Sequence, residues 1–322
     1  MYADIDKSAK GIFMKDTSAK DCLHLFDTDV AGRLSPGWQA GVLHQRTKAV
    51  EAGPMLTVEC YPVWDTHSAR VARDEARKDA HKRAQDRVHA RNARRKLAQL
   101  VNANFGAGDL IVTCTYAPGE NPEDEKQAQR DIVAYLRRVA YLRKKHGLPQ
   151  MRYIYITEST SSPKCGIRYH HHVIMSGGVS QADVQAAWKK RFAGICNARL
   201  AQPTERHLSG FAQYLTMNKR GRSLEADGKN PQQRAMRRRW NPSKNLVDPV
   251  ETVADKKISI RKAGRIAEAA ADFGQMRVVF EKLYPGYDLL EVQVKQSPWA
   301  AGVYIYAELA RKREGKAVKR RE

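Results

Sequence analysis

The spacing of apolar and polar residues changes near Gly106. Between Pro62 and Gly106 the chain contains no Gly or Pro and is rich in Ala, Arg and Lys, which predicts one long helix or two joined helices. Apolar residues are sparse at first and become periodic at Leu97, Leu100 and Val101. We therefore expect a solvated basic helix whose last part packs against a core.

Three strand-like segments follow Gly106. Residues 110–116 have the composition of a buried strand, residues 152–158 predict a second strand, and residues 169–175 predict a third. A polar loop from Ser159 to Gly166 joins the last two. We therefore expect these two strands to form a hairpin.

Helical patterns separate and follow these strands. We expect a helix from Pro122, capped by Asn121 and stopped by Gly147, because acidic residues fill its first turn. Ser180 with Asp183 forms a cap pair that opens a second helix. A third is predicted from Thr204 to about Asn218, and its apolar stripe is Leu208, Phe211, Ala212 and Leu215. The order strand, helix, strand, strand, helix predicts an α+β fold with an antiparallel sheet of the split βαβ, ferredoxin-like type.

Composition divides the chain and limits its partners. Its 322 residues carry 57 Lys and Arg against 35 Asp and Glu, a formal charge of +22, which indicates nucleic acid or an acidic membrane as partner. We expect five segments: 1–65 of unclear structure, a basic helical segment over 66–105, a central domain over 106–250, a mixed α/β region over 251–315, and a basic tail over 316–322.

Targeting signals and paired cysteines are not apparent in the sequence. No stretch approaches the ~18 apolar residues of a membrane span, and the first residues do not resemble a secretory signal. The five cysteines are scattered and form no CxxC pair. We therefore expect a reduced cytoplasmic protein with neither a disulfide framework nor a zinc ribbon.

A metal site is the first chemical candidate. His170 and His172 alternate along one strand and so share a face, which suits two imidazoles on one metal ion. The hairpin brings Glu158 near His170, and two imidazoles with a carboxylate suit Mg²⁺ or Mn²⁺. A cluster of hydrogen-bonded histidines and a surface carboxylate at a strand end remain the plainer interpretation of the same residues.

Tyr214 is the second chemical candidate. It lies off the apolar stripe of its predicted helix, on the face shared with His207, Gly210 and Asn218. An exposed tyrosine there can act as a nucleophile toward a phosphodiester. A packing role is the alternative, and it is the commoner role of a lone tyrosine on a helix.

Several segments together resemble the HUH endonuclease superfamily of rolling-circle replication initiators. The closest resemblance is to replication-associated proteins of phages and small plasmids, akin to the filamentous-phage gene II type. The similar segments, in chain order, are Asn92–Leu97, Asn102–Phe105, Gly108–Asp109, the strand Ile111–Tyr116, Tyr155–Glu158 with Tyr169–Ile174, Phe211–Thr216, and Trp240–Leu246.

The resemblance implies a division of labour among the candidates. His170 and His172 would hold a metal ion with Glu158 as third ligand, and Tyr214 would attack the scissile phosphate. The products would be a 5′-phosphotyrosine and a free 3′-OH, and no ATP would be needed. The sequence contains no GxxxxGK[ST] loop, in agreement with that implication. We expect a five-stranded antiparallel sheet with the histidines on its open face and the Tyr214 helix alongside.

Two positions depart from the family pattern. Some relatives have a second tyrosine four residues before the first, where this chain has Gly210, so a single-tyrosine enzyme is expected. Relatives also place a lysine three residues after the tyrosine, where this chain has Met217. Lys219 is the candidate for that role, with Lys189, Lys190 or Arg220 as alternatives. A lost lysine role and a slow or inactive enzyme also fit this departure.

Basic segments predict contacts with the DNA backbone, although a solvated charged surface would have the same composition. They are residues 70–96 and residues 219–244, the latter expected to form a loop or arm. Trp240 can stack on an unpaired base or pack on the domain. The candidate DNA-binding residues are Arg220, Arg237, Arg238, Arg239, Trp240 and Lys244.

The resemblance implies single-stranded DNA at a replication origin as the substrate, in the cytoplasm of a bacterial host. We find no helicase motif, so a host helicase and polymerase are expected partners. Three alternatives stay open: an HUH relaxase or transposase, a non-catalytic nucleic-acid-binding protein, and a metal-dependent hydrolase that uses water. The order of histidines before tyrosine favours an initiator or transposase over a relaxase.

Overall fold

A computed structural model of the chain describes residues 42–64, 91–162, 166–216, 240–255, 257–296 and 303–312. These residues form an α+β fold with two antiparallel sheets, which confirms the predicted α+β class, while the split βαβ type stays a prediction. They separate into two compact units. The first contains described residues of 42–50, 56–64, 91–93 and 251–312, and the second contains those of 51–55 and 94–250.

Ten strands and six helices make up the described part of the chain. The strands are β1 (Val42–Ala52), β2 (Met55–Trp64), β3 (Leu110–Thr115), β4 (Tyr153–Ser162), β5 (Gly166–Met175), β6 (Cys196–Leu200), β7 (Asn241–Pro242), β8 (Val250–Ala254), β9 (Tyr287–Gln296) and β10 (Val303–Arg311). The helices are α1 (91–104), α2 (Glu125–Lys145), α3 (Gln181–Phe192), α4 (Ser209–Thr216), α5 (Ile260–Glu268) and α6 (Phe273–Leu283).

The sheet of the first unit joins segments that are far apart in sequence. Its strand order is β8-β1-β2-β10-β9, so β2 pairs with β10. Four residues of α5 and α6 are buried in one apolar cluster with four residues of β10: Ala263, Ile266, Met276, Phe280, Val303, Ile305, Ala307 and Leu309. The sequence predicted separate regions before and after the central domain and did not anticipate that they share a sheet.

The second unit contains the five-stranded antiparallel sheet that the sequence predicts. Its order is β6-β3-β5-β4-β7, and each neighbouring pair is antiparallel. Helices α2 and α3 cover one face, where Ile132, Leu136 and Val139 lie in one buried cluster with Val184 and Trp188. The helical spacing of these residues places them on one face of each helix.

The start of α2 differs from the prediction. Asp124, not Asn121, caps the helix, and its carboxylate accepts a hydrogen bond from the Gln127 N–H at 2.7 Å. The Asn121 side chain is engaged elsewhere, because its Oδ1 accepts from the Tyr169 N–H of β5 at 2.9 Å. The loop after β3 is therefore tied to β5, and the helix begins later along the chain.

Helices α1 and α4 cover the opposite face of this sheet. Leu97, Leu100 and Val101 of α1, which supply the predicted periodic apolar positions, are buried there with Leu208 and Ala212. Their sheet partners are the apolar residues Ile111, Ile154, Ile156 and Ile174. The prediction that the last part of the basic helix packs against a core is confirmed. The more basic residues before 91 lie outside the described part.

Helix α4 begins at Ser209 and not at Thr204 as predicted. His207 has a φ of +50°, in the left-handed region, and exchanges backbone hydrogen bonds with Thr204. This turn is incompatible with a continuous helix across residues 204–209. Placing His207 on one helical face with Tyr214 was therefore wrong.

The end of the predicted basic arm is part of the sheet. Asn241 and Pro242 form β7, which pairs with β4 at Tyr155 and Ile154. Ser243 exchanges two hydrogen bonds with Tyr153: its N–H donates to the carbonyl oxygen at 2.8 Å, and its Oγ accepts from the N–H at 3.0 Å. The expectation of a loop or arm over residues 219–244 was wrong for Asn241 and Pro242, and residues 219–239 lie outside the described part.

Candidate active site

The pairing of β4 with β5 brings the three predicted metal ligands together. Glu158 lies directly opposite His170 in the antiparallel register, as the predicted hairpin requires. His172 is two residues further along β5 and projects from the same face. The alternation of side chains along both strands therefore builds a site with a carboxylate and two imidazoles.

These side chains are close to one another and largely shielded from solvent. Glu158 Oε2 lies 2.9 Å from His170 Nε2 and 3.5 Å from His172 Nε2. The side chains of Glu158, His170 and His172 expose 12%, 16% and 8% of their surface. The two imidazole rings are nearly perpendicular, with centroids 5.2 Å apart. The three side chains are thus mostly, but not completely, removed from solvent.

The three residues fit a divalent cation by their donor chemistry. One donor atom from each of Glu158, His170 and His172 lies within 4.8 Å of the other two. Two imidazole nitrogens and one carboxylate oxygen can ligate first-row divalent ions and leave positions for substrate oxygens. The prediction that these three residues could hold a metal ion is supported, and the geometry does not identify the ion.

Thr113 of β3 orients one of the ligands. It lies opposite His172 in the β3–β5 pairing, and its Oγ1 is 3.2 Å from His172 Nδ1. With Nδ1 engaged by this hydroxyl, Nε2 is the nitrogen that faces Glu158. The sequence analysis included Thr113 in a strand motif without a role; its placement opposite His172 becomes evident only from the strand register.

His171 belongs to the other face of the sheet, as its place in the strand predicts. Its Nε2 lies 2.9 Å from the Tyr116 hydroxyl and its Nδ1 lies 3.0 Å from Thr157 Oγ1, so both ring nitrogens have partners. Burial, together with the neighbouring charges of His170 and His172, lowers the pKa of His171 to about 3. His171 is thus a neutral, hydrogen-bonded core residue.

Tyr214 lies in α4, the helix that packs beside the site. Leu208 and Ala212 hold α4 against the sheet face that carries Ile156 and Ile174. Ile156 and Glu158 are two residues apart on β4, and Ile174 and His172 are two residues apart on β5, so each pair shares that face. The α4 helix and the candidate metal-ligand cluster therefore lie on one face. Because α1 and α4 both pack on this face, the expectation that the histidines lie on an open face was wrong. The Tyr214 side chain itself lies outside the described part.

The remaining candidates are only partly described. Lys219, Arg220 and Arg237–Arg239 lie outside the described residues. Lys189 and Lys190 are in α3, whose Trp188 packs on the face opposite α4, which disfavours them as replacements for the missing lysine. Trp240 is half-buried against the cluster beneath α1 and α4, which accounts for it as a packing residue, and Lys244 is exposed.

Residues 109–219 match the family model described as replication-associated protein, ORF2/gene II protein type. The matched segment covers about a third of the chain and contains Glu158, His170, His172 and Tyr214. No curated protein and no solved structure gives a match to this chain. In the described part of the chain, no helix has the length and apolar character needed to cross a bilayer.

The family match supports a role in replication initiation and implies binding to DNA at an origin. It also confirms the resemblance to phage and plasmid replication-associated proteins over the segment that carries the candidate site. Residues 109–219 of this chain are therefore similar to the replication-associated protein family of the ORF2/gene II protein type.

Proposed function

We propose that the chain is a metal-dependent, single-tyrosine nuclease of the HUH type that nicks and rejoins single-stranded DNA to start rolling-circle replication. The observation that carries this proposal is the grouping of Glu158, His170 and His172 on the sheet face against which α4 packs. The match of residues 109–219 to the replication-associated protein family supports the replication role.

Tyr214 is the proposed nucleophile. Its phenolic oxygen attacks the scissile phosphorus, the bond from phosphorus to the 3′ oxygen breaks, and a bond from phosphorus to the tyrosine oxygen forms. The phenol loses its proton to solvent and the departing 3′ oxygen gains one, so one phosphodiester replaces another. Attack by a 3′-OH on the phosphotyrosine reverses the step and joins DNA strands.

Glu158, His170 and His172 are proposed to hold Mg²⁺ or Mn²⁺. The ion would polarise the phosphate and stabilise the charge that develops on it. Thr113 keeps the His172 ring oriented so that Nε2 remains available. Glu158 lies between the imidazoles and would offset part of the ion's charge. Lys219 is proposed to assist Tyr214 from beyond the end of α4, because Met217 occupies the usual lysine position.

The proposed substrate is single-stranded DNA at a replication origin. A formal charge of +22 favours binding to a phosphate backbone. We propose that Arg220, Arg237–Arg239 and Lys244 contact phosphates and that Trp240 lies beside them. A host helicase and polymerase in a bacterial cytoplasm would complete replication, since the sequence shows no helicase motif.

Covalent capture of labelled DNA tests the proposal. Single-stranded oligonucleotides tiled across the replicon that encodes the chain are labelled at the 3′ end and incubated with the protein in Mn²⁺ or in EDTA. We expect an SDS-resistant labelled band in Mn²⁺ alone, because the phosphotyrosine retains the 3′ fragment. The same oligonucleotides labelled at the 5′ end should release a short fragment that a polymerase extends from its 3′-OH.

Variants identify the groups responsible. Tyr214→Phe and His172→Ala should each abolish the band, whereas Tyr141→Phe, a matched change at an exposed tyrosine of α2, should keep it. Cleavage without an adduct would establish a hydrolase that uses water. Binding without cleavage across several metal ions would establish a DNA-binding protein. Either result would overturn the proposal. An acceptor oligonucleotide with a free 3′-OH should release the captured fragment as a joined strand.

A further inference from the structure

The α4 helix is too short to hold its own position. It has eight residues, about two turns, and Tyr214 is close to its end. Isolated helices shorter than about 12 residues are marginal in water, so contacts outside α4 must fix its position and rotation. These contacts determine where the Tyr214 backbone stands relative to Glu158, His170 and His172.

Asn102, near the end of α1, supplies two of these contacts. Its Oδ1 accepts a hydrogen bond from the Leu208 N–H at 3.0 Å, and its Nδ2 donates to Ser209 Oγ at 2.8 Å. The first N–H groups of a helix have no partner within the helix. Asn102, which is only 5% exposed, thus acts as a cap donated by another helix.

A second link lies one turn further along the same segment. His207 Nε2 donates to the carbonyl oxygen of Phe105 at 2.7 Å, and the left-handed backbone of His207 turns the chain into α4. Asn102 and Phe105 therefore form hydrogen bonds with two consecutive residues before the helix, Leu208 and His207 respectively. Together they fix both the starting point and the direction of α4.

We infer that Asn102 is a positioning residue for Tyr214: through Leu208 and Ser209 it anchors α4 so that the tyrosine is presented to the metal-ligand cluster. The inference rests on the proposed nucleophilic role of Tyr214. A displacement of about 1 Å in a reacting group can lower a rate by about 100-fold. A cap of this kind can therefore control the rate without touching the substrate.

Asn104 provides a matched control in the same helix. It is as buried as Asn102 and also makes hydrogen bonds from both ends of its amide: Nδ2 donates to the carbonyl oxygens of Leu100 and Val247, and Oδ1 accepts from the Val247 N–H. None of these partners belongs to α4. Asn104→Ala thus removes the same atoms at the same depth while leaving the start of α4 intact.

The test compares Asn102→Ala, Asn102→Asp and Asn104→Ala in the full chain. Single-turnover adduct formation is measured at saturating DNA and Mn²⁺, with the affinity for uncleaved DNA in EDTA and the affinity for Mn²⁺ measured separately. Hydrogen exchange across residues 207–216 follows α4 without any catalysis. An aspartate keeps an acceptor for the Leu208 N–H and can accept from the Ser209 hydroxyl.

We expect Asn102→Ala to slow adduct formation by roughly 10- to 100-fold with both affinities unchanged, and to raise exchange in residues 207–216. Asn102→Asp should recover most of the rate, and Asn104→Ala should retain both the rate and the α4 protection. Equal rates and equal exchange in Asn102→Ala and Asn104→Ala would overturn the inference. A wild-type protein that forms no Tyr214 adduct would instead overturn the proposed function, and the exchange measurement would still report whether Asn102 anchors α4.

Discussion

Oε2 of Glu158 lies 2.9 Å from Nε2 of His170, and the two residues face each other directly across neighbouring strands. Without a cation, this contact is a hydrogen bond between a carboxylate and an imidazole. In the proposed metal complex the same two atoms would be ligands, and the strand register already places them close together. Much of the conformational entropy that is lost in bringing these side chains together is therefore lost when the sheet forms.

Replacing Glu158 should weaken metal binding strongly. Glu158→Gln keeps the size of the side chain but removes its negative charge, and we expect the Mn²⁺ affinity to fall by at least about 100-fold, since changes to outer-shell partners alone cost roughly 10- to 100-fold. Isothermal titration with Mn²⁺ measures the loss. Glu205→Gln, at an exposed carboxylate outside the cluster, should bind as tightly as the wild type. Equal affinities in both variants would show that the ion binds elsewhere.

Two threonines contact neighbouring histidines on opposite faces of the sheet. Thr113 contacts His172 on the site face, and Thr157 contacts His171 on the core face. Thr113→Val should lower the Mn²⁺ affinity by roughly 10- to 100-fold because the His172 ring loses the partner of Nδ1. Thr113→Ser should restore most of it.

Thr157→Val is the control for the two Thr113 variants. It removes the corresponding hydrogen bond to His171, and we expect it to lower the free energy of unfolding by about 1–3 kcal/mol while leaving the Mn²⁺ affinity unchanged. Urea unfolding and Mn²⁺ titration on the same samples distinguish the two effects. A loss of affinity in Thr157→Val as large as that in Thr113→Val would argue against a specific role for Thr113.

Gly177 should not tolerate a side chain. A Cβ there would lie against the carbonyl group of Gly108, 2.8 Å from its carbon, and 3.3 Å from the Cα of Asp109. Because these neighbours are backbone atoms, they can relieve the overlap only by a backbone shift, and Gly177→Ala should destabilise the protein by about 1–3 kcal/mol.

Gly210 in α4, unlike Gly177, has room for a side chain. A Cβ there would meet no atom within 4 Å, and alanine is favoured over glycine in a helix by about 1 kcal/mol. Gly210→Ala should therefore raise the urea midpoint, whereas Gly177→Ala should lower it. A midpoint that rises in Gly177→Ala would contradict the close backbone approach at Gly177, and one that falls in Gly210→Ala would contradict the free space at Gly210.

Cys60 makes stability fall at alkaline pH. It is a free, fully buried thiol in β2 whose Sγ donates to Gln45 Oε1 at 3.6 Å, and burial raises its pKa from the ordinary value of 9.0 to about 12. Between pH 9 and 12 the unfolded chain loses the thiol proton while the folded chain keeps it. Stability therefore decreases as pH rises through this range, by about 1.4 kcal/mol per pH unit from this group.

Subtracting a variant without the thiol isolates this contribution. The difference in unfolding free energy between the wild type and Cys60→Ala should be constant from pH 7 to 8.5 and should then shift against the wild type above pH 9. Urea unfolding at each pH measures it. A difference that stays flat to pH 10.5 would mean that the folded thiol ionises as readily as the unfolded one.

The metal-ligand group could be predicted because it depends on local periodicity. Strand alternation places His170 and His172 on one face, and a hairpin between adjacent strands places Glu158 opposite His170. Both relationships follow from short stretches of sequence. Tyr214, Lys219 and the arginines at 237–239 stay predictions, because their side chains lie outside the described part.

Other features depend on particular contacts that periodicity does not encode. The α4 helix starts at Ser209 because His207 adopts a left-handed backbone and bonds to Phe105, which is far away in sequence. Asn121 has the residue type of a helix cap but is drawn to the Tyr169 N–H. Asn102 has no local pattern that marks it as the anchor of α4. In each case a hydrogen bond with a residue distant in sequence determines the local structure, and such a bond forms only in the folded chain.

The pairing of β2 with β10 affects how the protein is made. At synthesis rates of about 5–20 residues per second, the ribosome reaches β10 some tens of seconds after it completes β2. During that interval the second unit, whose strands all lie between residues 110 and 242, emerges complete and can fold. During this interval the edge of β2 that later pairs with β10 has no partner strand. A nascent chain stalled before residue 303 would therefore expose an unpaired strand edge that chaperones can bind.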